Sequence, residues 1–318
     1  LPWQGVSTNC TYAPAVARRA RLFACARGNA WNSPWNDQAV RQFRIKLSPM
    51  GEINTRGSIN MIKLFSMNVN AYNDRFGPWP ARLGMIREMV QDACPDILVM
   101  QAVARSPRQF DGLDQAAQLA GLFNLYPYHH YQPAMELAGD LTEGVAIVSR
   151  FQPQDLRVQK LSWMPGTDDN NRRLILHARF DLPQGPLHVF DAHFSWVEPQ
   201  ARSNVQEAIQ FVKVYSGPAV LLGDLNQPPD SPALQPFRAA GWTDAWSECY
   251  PTEDGFTFFE GSGLVKRIDY AWVNADLLGR LKQVRVLPSE MAGLDSRASD
   301  HDALLVSFDL EAGARPPC

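Results

Sequence analysis

Short, wholly apolar segments alternate with helical patterns from residue 61 onward, and this alternation constrains the fold more than any other feature. Ile97–Met100 and Ala219–Leu222 contain no polar residue, as expected of strands that are covered on both faces. Apolar residues recur at helical spacing over 83–93 and 205–212. The pattern predicts an α/β body with sheets inside and helices outside. Further strands are predicted over 61–66, 145–148, 174–180, 187–194, 268–273 and 303–310.

Polar segments lie where these strands end, which is where sites in sheet-based folds are usually built. Each segment alone is a weak indication, because an Asp after a strand commonly forms a turn and a lone His is commonly a core residue. The combination and its order carry the information. The segments are Ser66–Asn70, Pro95–Ala102, Thr142–Gly144, Asp191–His193, Gly223–Asn226, Arg267–Tyr270 and Ser299–His301.

Together and in this order, the segments resemble the endonuclease/exonuclease/phosphatase superfamily, the fold of deoxyribonuclease I and exonuclease III. The resemblance extends from about Met61 to Leu310 and includes Glu143–Arg150 and Arg172–Leu174. It implies an α/β fold, a four-layered α/β/β/α sandwich of two mixed sheets with outer helices. The resemblance also implies a site at one edge of the sandwich, formed by loops of both sheets.

Hydrolysis of a phosphodiester requires an activated water, in-line geometry and neutralisation of charge on the phosphoryl oxygens and the leaving group. A divalent metal ion supplies the charge and template roles. The resemblance therefore implies Mg²⁺ (or Mn²⁺), and Mg²⁺ prefers oxygen ligands. By the same resemblance, Asn68 and Asp300 belong to the metal site. Asp224 matches the residue that orients or deprotonates the water, and Asn226 matches the amide that holds the phosphate.

Two histidines complete the site that the resemblance implies. His301 matches the histidine on the scissile phosphate, with Asp269 behind it. His193 matches a second histidine, and Glu143 falls where deoxyribonuclease I backs that histidine with a glutamate. A carboxylate behind an imidazole fixes its tautomer and stabilises its protonated form. For Glu143 alone, a polar turn residue remains a fair alternative interpretation.

One position departs from the family pattern. After the buried strand the family reads Leu-Gln-Glu, and the glutamate is the principal metal ligand, whereas this chain reads Met100-Gln101-Ala102. A methyl group cannot coordinate Mg²⁺, so we expect weak metal binding and a catalytically impaired chain that Ala102→Glu reactivates. Every other matched position is intact, which favours a deliberate inactivating substitution over natural decay, and the sequence alone does not separate the two.

The superfamily includes nucleases, sphingomyelinases, inositol-phosphate phosphatases and deadenylases, and a shared fold does not select among them. A phosphodiester substrate is expected, with nucleic acid favoured and a phospholipid head group as the alternative. The run Tyr126–Tyr131 could stack a base, enter a lipid interface or simply pack a loop. A third hypothesis is a natural pseudoenzyme that binds phosphorylated ligands without cleaving them. Arginines that could line a substrate groove are Arg105, Arg108, Arg150, Arg172 and Arg173.

The charge distribution divides the chain. Residues 1–56 carry eight Lys/Arg against two acids, whereas residues 57–318 carry 22 against 31. We therefore expect residues 1–60 to be a basic N-terminal extension of unknown role, 61–310 the catalytic domain and 311–318 a frayed tail. The basic charge lies upstream of the resemblance, so it does not indicate that the catalytic domain prefers nucleic acid.

No apolar run approaches the roughly 20 residues that span a bilayer, so no integral membrane segment is expected. The five cysteines match no zinc-binding spacing, and Cys10 and Cys25 could pair in an oxidising compartment. The sequence leaves the compartment open between bacterial cytoplasm and secretion, and it leaves the oligomeric state open as well.

Overall fold

The computed structural model describes residues 61–261, 263–290 and 296–311. Two mixed six-stranded sheets with outer helices form the body, which confirms the predicted α/β/β/α sandwich. The sequence also favours a strand over 39–47 and a second over 20–26, and both lie outside the described residues. The pair Cys10 and Cys25 and the predicted extension 1–60 lie outside them as well. So does the tail beyond Glu311, and the predicted domain boundaries stay predictions.

The first sheet has the strand order β13-β14-β1-β2-β4-β3. Strands β1 and β2 are parallel, and every other neighbouring pair in this sheet is antiparallel. Its strands are β1 (Met61–Asn68), β2 (Ile97–Arg105), β3 (Tyr128–Glu136), β4 (Thr142–Ser149), β13 (Leu281–Leu287) and β14 (Ala303–Asp309).

The second sheet has the order β5-β6-β7-β8-β12-β9, in which only β7 and β8 are parallel. A separate hairpin is formed by β10 (Phe258–Glu260) and β11 (Gly263–Lys266). The strands of the second sheet are β5 (Asp155–Lys160), β6 (Leu174–Leu182), β7 (Gly185–His193), β8 (Ala219–Asp224), β9 (Thr243–Asp244) and β12 (Asp269–Val273).

Six α-helices connect the strands within the described residues. The first begins after Pro78 and ends at Cys94, which has a left-handed backbone and precedes Pro95. None of the helices in the described part of the chain is long and apolar enough to cross a membrane. The helices are α1 (Trp79–Ala93), α2 (Gln115–Ala120), α3 (Glu198–Val212), α4 (Gln235–Ala239), α5 (Ala245–Cys249) and α6 (Ala275–Leu278).

Three apolar cores account for the four layers. The central core lies between the sheets, where Leu64 of β1 and Leu222 of β8 are both fully buried. A second core packs α1 on the outer face of the first sheet, and a third packs α3 on the second sheet. Successive strand residues alternate between cores, since Leu64 faces the central core and Phe65 the α1 core. This two-sided burial explains the wholly apolar runs in the sequence.

The parallel pairs place the polar residues. Carboxyl ends of parallel neighbours lie at the same edge of a sheet, so the ends of β1 and β2 meet, as do the ends of β7 and β8. Gly223 lets β7 and β8 approach closely there, because a Cβ at this position would lie 1.9 Å from the Ala192 carbonyl oxygen. His193, Asp224 and Asp269 are consequently direct neighbours in the ladder.

Candidate active site

Three predicted site residues surround one carboxylate oxygen at this edge. The Asn68 Nδ2 donates to Asp224 Oδ2 at 2.9 Å, across the gap between the two sheets. The Nε2 atoms of His193 and His301 lie 3.4 and 3.7 Å from the same oxygen. Asp224 itself is 1 % exposed. Both sheets therefore contribute to a single buried polar cluster.

Asp224 stays ionised although it is buried. Burial alone would raise the pKa of this carboxyl, but the charge on His301 and the hydrogen bonds from His193 and Asn68 outweigh it and lower the pKa. The Asn226 main-chain N–H also donates to Asp224 Oδ1 at 2.9 Å. A buried carboxylate that stays charged at neutral pH can accept a hydrogen bond from a water molecule and orient it.

His301 forms a tight pair with Asp269, and its Nδ1 lies 2.8 Å from Asp269 Oδ2. Burial opposes charge on the imidazole, but the carboxylates of Asp269 and Asp224 raise the pKa of His301 to about 10. Burial raises the pKa of Asp269 to about 6, against the lowering effect of His301. At pH 7 the pair is therefore an imidazolium beside a carboxylate.

His193 holds the opposite protonation state. Burial lowers the pKa of His193, and the positive charge of Arg173 lowers it further. Asp224 and, last in strength, Glu143 raise it without reversing the direction. Glu143 lies on β4 opposite Ala104, and within the described residues it forms no hydrogen bond or ion pair with His193. Glu143 was predicted to support His193 directly, but in the structure it acts on His193 only through a weak electrostatic effect on the pKa.

The two positions predicted for metal binding are joined by Ser299, a residue that the sequence analysis did not single out for the site. Its hydroxyl donates to the Asn68 carbonyl at 2.7 Å and accepts from the His301 main-chain N–H at 3.2 Å. Asn68 Oδ1 accepts from the Asn70 main-chain N–H at 2.9 Å. Asp300 lies between Ser299 and His301 and is partly exposed. The Ser-Asp-His sequence was the available signal for this contact.

Arg82 is a second residue that sequence reasoning missed. Its guanidinium is fully buried on α1 and donates to the carbonyls of Val69, Ala71 and Ala298. These carbonyls belong to the two segments that carry Asn68 and Asp300. Burial lowers the pKa of Arg82 to about 10, so the side chain stays charged at pH 7. An arginine four residues before a core isoleucine, on the apolar face of a helix, was the available signal.

Ala102 lies in a β-bulge of β2, where the pairing with β4 shifts between Met100 and Val103. Its φ of 49° is left-handed, a conformation that costs an L-residue roughly 1 kcal/mol. The carbonyl of Ala102 accepts from the Ala71 main-chain N–H at 2.8 Å. Asn70, Ala71 and Asn226 also have positive φ. Unusual backbone of this kind concentrates at functional sites.

Below the site, a buried polar pair connects the sheets. Gln101 Nε2 donates to Asp191 Oδ1 at 2.6 Å and lies 3.3 Å from Ser66 Oγ. Burial raises the pKa of Asp191 well above its usual range, against the hydrogen bond from Gln101. Asp191 lies two residues before His193 on β7, so this pair forms part of the floor under the candidate site.

One buried group has the composition of a metal site. Ligand atoms of Asp224, Asp269 and His301 all lie within 4.8 Å of one another. The group could hold a divalent ion, but its imidazole Nδ1 is engaged by Asp269 and the imidazole is protonated, which makes it a poor ligand as it stands. Asn68 and Asp300 supply the oxygen atoms that suit Mg²⁺, and the methyl of Ala102 supplies none.

Asn226 also reaches the cluster. Its side-chain amide donates to the Phe194 carbonyl at 3.0 Å, while its main-chain N–H holds Asp224. On the opposite side, the ring of Phe258 meets the ring of His301 edge to face, with centroids 5.1 Å apart. The structure therefore gathers His193, Asp224, Asn226, Asp269, His301 and Asn68 in one place.

Comparison with known proteins identifies the family of the chain. The sequence model of the Endonuclease/Exonuclease/phosphatase family matches residues 65–301, and the chain belongs to this family. Its members hydrolyse phosphoesters, as phosphodiesterases, phosphatases and nucleases, and are generally dependent on a divalent metal. No curated protein matches the chain significantly.

Several solved structures share the fold. A family protein from Leptotrichia buccalis is 18% identical, with a TM-score of 0.63 over 77% of this chain and 98% of its own. The 3′ phosphatase NExo from Neisseria, bound to product DNA hairpin, is 24% identical, with a TM-score of 0.59 and coverages of 78% and 99%. A mannosyl-6-phosphatase from Bacteroides thetaiotaomicron is 23% identical, with a TM-score of 0.59 and coverages of 77% and 98%.

Proposed function

We propose that this chain is a divalent-metal-dependent phosphodiesterase, and that Ala102 leaves it catalytically impaired. The observation that supports the reaction type most directly is the placement of Asp224 Oδ2 3.4 and 3.7 Å from the Nε2 atoms of His193 and His301, with His301 paired to Asp269. Titratable groups whose environments separate their pKa values mark acid and base roles in hydrolytic sites.

A Mg²⁺ or Mn²⁺ ion would supply charge neutralisation at the phosphoryl oxygens, and Asn68 and Asp300 would hold it. Asp224 would orient the attacking water and accept its proton. His301, charged and fixed by Asp269, would donate a hydrogen bond to a phosphoryl oxygen and stabilise its developing charge.

The remaining residues position these groups. Asn226 would contact the phosphate through the N–H of its amide that the Phe194 carbonyl does not accept. The neutral His193 shares Asp224 with His301, and it would hold the carboxylate oriented. In this scheme Glu143 contributes charge at a distance rather than a contact.

The test of the proposed function is Ala102→Glu. We expect an increase in hydrolysis on the order of 10²- to 10³-fold, since the carboxylate restores one electrostatic stabiliser of the transition state. The substrate panel comprises bis(p-nitrophenyl) phosphate, p-nitrophenyl phosphate, single- and double-stranded DNA, and sphingomyelin. Titration calorimetry with Mg²⁺ supplies a readout that does not depend on activity.

Ala102→Gln is the matched control, because glutamine has the size of glutamate without its charge. It should gain neither Mg²⁺ affinity nor activity. If Ala102→Glu binds Mg²⁺ and still cleaves nothing in the panel, the proposed function is wrong. The residue at 102 also favours a second candidate, a non-catalytic protein that binds phosphorylated ligands. Unchanged ligand binding together with an inactive Ala102→Glu variant would support that candidate.

A further inference from the structure

Trp196 protrudes beside the candidate site. It lies three residues after His193, in the loop between β7 and α3, and its relative exposure is 48%. Its neighbours Phe194 and Ser195 are fully buried. A half-exposed indole on an anchored loop offers a flat apolar face, with a polar N–H at its edge, to a ligand that reaches the site.

The loop under the indole is fixed by hydrogen bonds. Gln227 Nε2 lies 3.2 Å from the Ser195 carbonyl and 3.3 Å from the Trp196 carbonyl. The Val197 main-chain N–H donates to Ser195 Oγ at 3.1 Å. Little conformational freedom remains in this backbone, so a partner of the indole would order few additional groups when it binds.

An arginine also contacts the indole. The Arg173 guanidinium carbon lies 5.7 Å from the Trp196 ring centroid, within the range of a cation–π contact. The Arg173 side chain is 4% exposed and pairs with the buried Asp169 at 3.2 Å. Arg173 directly precedes Leu174, which pairs with His193 in the ladder, so Trp196 and His193 lie at the same end of β6 and β7.

Arg172, the residue before Arg173, forms a second arginine–tryptophan pair. The Arg172 guanidinium carbon lies 4.0 Å from the Trp163 ring centroid, and Arg172 is exposed. Among the described residues, Arg172 has no carboxylate within ion-pair distance. Arg108, Arg150 and Arg173 instead pair with Asp140, Asp96 and Asp169. Of these four arginines, Arg172 is the one without a carboxylate partner. Arg105 also lacks one within the described residues, but its Nε donates to the Gly112 carbonyl at 2.7 Å.

We propose that Trp196 and Arg172 form a binding strip for single-stranded nucleic acid, with an unpaired base stacked on Trp196 and a backbone phosphate at Arg172. This inference rests on the proposed function and specifies its substrate class. Proteins that bind single strands combine cationic side chains that follow the backbone with aromatic side chains that stack on bases. A duplex hides its base faces, so the strip selects against it.

The aromatic run Tyr126–Tyr131 offers no equivalent platform. Tyr126 is buried and its hydroxyl donates to the Pro95 carbonyl at 2.8 Å. Tyr131 donates to Thr142 Oγ1 at 3.0 Å. Tyr128 is 36% exposed, but it pairs with Ser149, at the end of β4 opposite to Glu143. It serves as a matched control for an exposed aromatic residue away from the site.

The experiment measures binding of fluorescein-labelled octathymidine to the full chain by anisotropy, with chelator present so that no cleavage occurs. Trp196→Ala should weaken binding by on the order of 5- to 100-fold, the range expected for one stacked base. Trp196→Phe should retain much of the affinity, and Tyr128→Ala should change nothing. Arg172→Ala should reduce the slope of log affinity against log salt by about one.

An abasic octamer of equal charge separates stacking from charge. For this probe Trp196→Ala and the unmodified chain should bind alike, and the basic segment 1–56 contributes equally in both. The inference is overturned if Trp196→Ala does not weaken octathymidine binding, if it weakens both probes equally, or if a duplex binds as tightly. Binding of sphingomyelin vesicles through Trp196, without oligonucleotide binding, also overturns it.

Different experimental outcomes contradict the proposed function and the proposed binding strip. Oligonucleotide binding through Trp196 with an inactive Ala102→Glu variant contradicts the proposed function and leaves the binding strip standing. Hydrolysis by Ala102→Glu with no effect of Trp196→Ala contradicts the strip alone. Circular dichroism melting of each variant shows whether a loss reflects unfolding.

Discussion

His301 and His193 lie against the same oxygen of Asp224, yet they hold opposite protonation states. Both are buried, and burial alone lowers the pKa of an imidazole. His301 has a second carboxylate at 2.8 Å, and its pKa rises to about 10. His193 has Arg173 nearby instead, and its pKa falls. At His301 the carboxylates of Asp269 and Asp224 together outweigh burial, whereas at His193 burial prevails and Arg173 adds to it.

The two protonation states suit different roles in hydrolysis. A positively charged His301 can stabilise a developing oxyanion at neutral pH, which a neutral imidazole does less well. A neutral His193 leaves Asp224 with one cationic neighbour rather than two, which limits how far the pKa of this carboxyl falls. Substitutions beside each histidine test whether its neighbours set its protonation state as described.

The largest effect is expected from Asp269→Asn. The amide cannot stabilise an imidazolium as a carboxylate does, so the pKa of His301 should fall toward that of His193. In the Ala102→Glu background, hydrolysis should fall on the order of 10³- to 10⁴-fold, as for loss of the carboxylate in other His–Asp pairs. NMR titration of the histidine ring signals in chelator measures the pKa. A His301 pKa that stays near 10 would show that Asp224 alone sustains it.

A third histidine isolates the contribution of burial. His177 lies in the α3 core with Nε2 2.9 Å from His188 Nδ1, and burial lowers its pKa to about 3. The unfolded chain binds this proton near pH 6.5, so stability from the neutral ring is present above pH 6.5 and is lost as pH falls toward 3. Replacing the ring with His177→Gln should remove this pH dependence.

Over that window, the unmodified chain should lose roughly 2–4 kcal/mol more than His177→Gln. Urea unfolding between pH 7 and pH 4 measures the difference. His129→Gln is the control, because His129 is partly exposed and pairs with Asp114 at 2.9 Å. Parallel curves for the unmodified chain and His177→Gln would contradict the assigned neutral state.

The smallest effect is expected when the charge beside His193 is removed. The double variant Asp169→Asn with Arg173→Gln eliminates the ion pair without leaving a buried charge unpaired. The pKa of His193 should then rise by less than about one unit, because burial, the larger cause, persists. The ring signals of His193 report the change, and those of His301 serve as the internal reference. A fall in the His193 pKa would reverse the assigned role of Arg173.

The sequence predicted the fold class and most members of the cluster, because those residues follow strand ends and strand ends were visible as apolar runs. Contacts between distant segments were not visible. Asn68 and Asp224 are 156 residues apart and meet only because two sheets stack. The buried contacts of Arg82 and Ser299 depend instead on the pairing of β1 with β14 and on the packing of α1 against the first sheet. A helical pattern places Arg82 on an apolar face, but it does not identify the carbonyls that the guanidinium meets.

Local backbone geometry was the second feature that the sequence did not predict. The run Ile97–Met100 predicted a short strand, whereas β2 continues to Arg105 through a bulge. The left-handed backbone at Ala102 has no signature in the sequence, since alanine is an unusual residue there. The hairpin β10–β11 and the strand β3 were likewise missed, since none of the residues of β3 is buried and the strand lacks a buried apolar run.

The bulge at Ala102 has a genetic consequence. Alanine and glutamate codons can differ in the second base alone, and the main chain at this position already holds its left-handed conformation without a functional side chain. Loss and recovery of a carboxylate here would therefore be a single-base event on an unchanged backbone. The carboxylate at position 102 could therefore be lost and regained while the protein keeps the same fold.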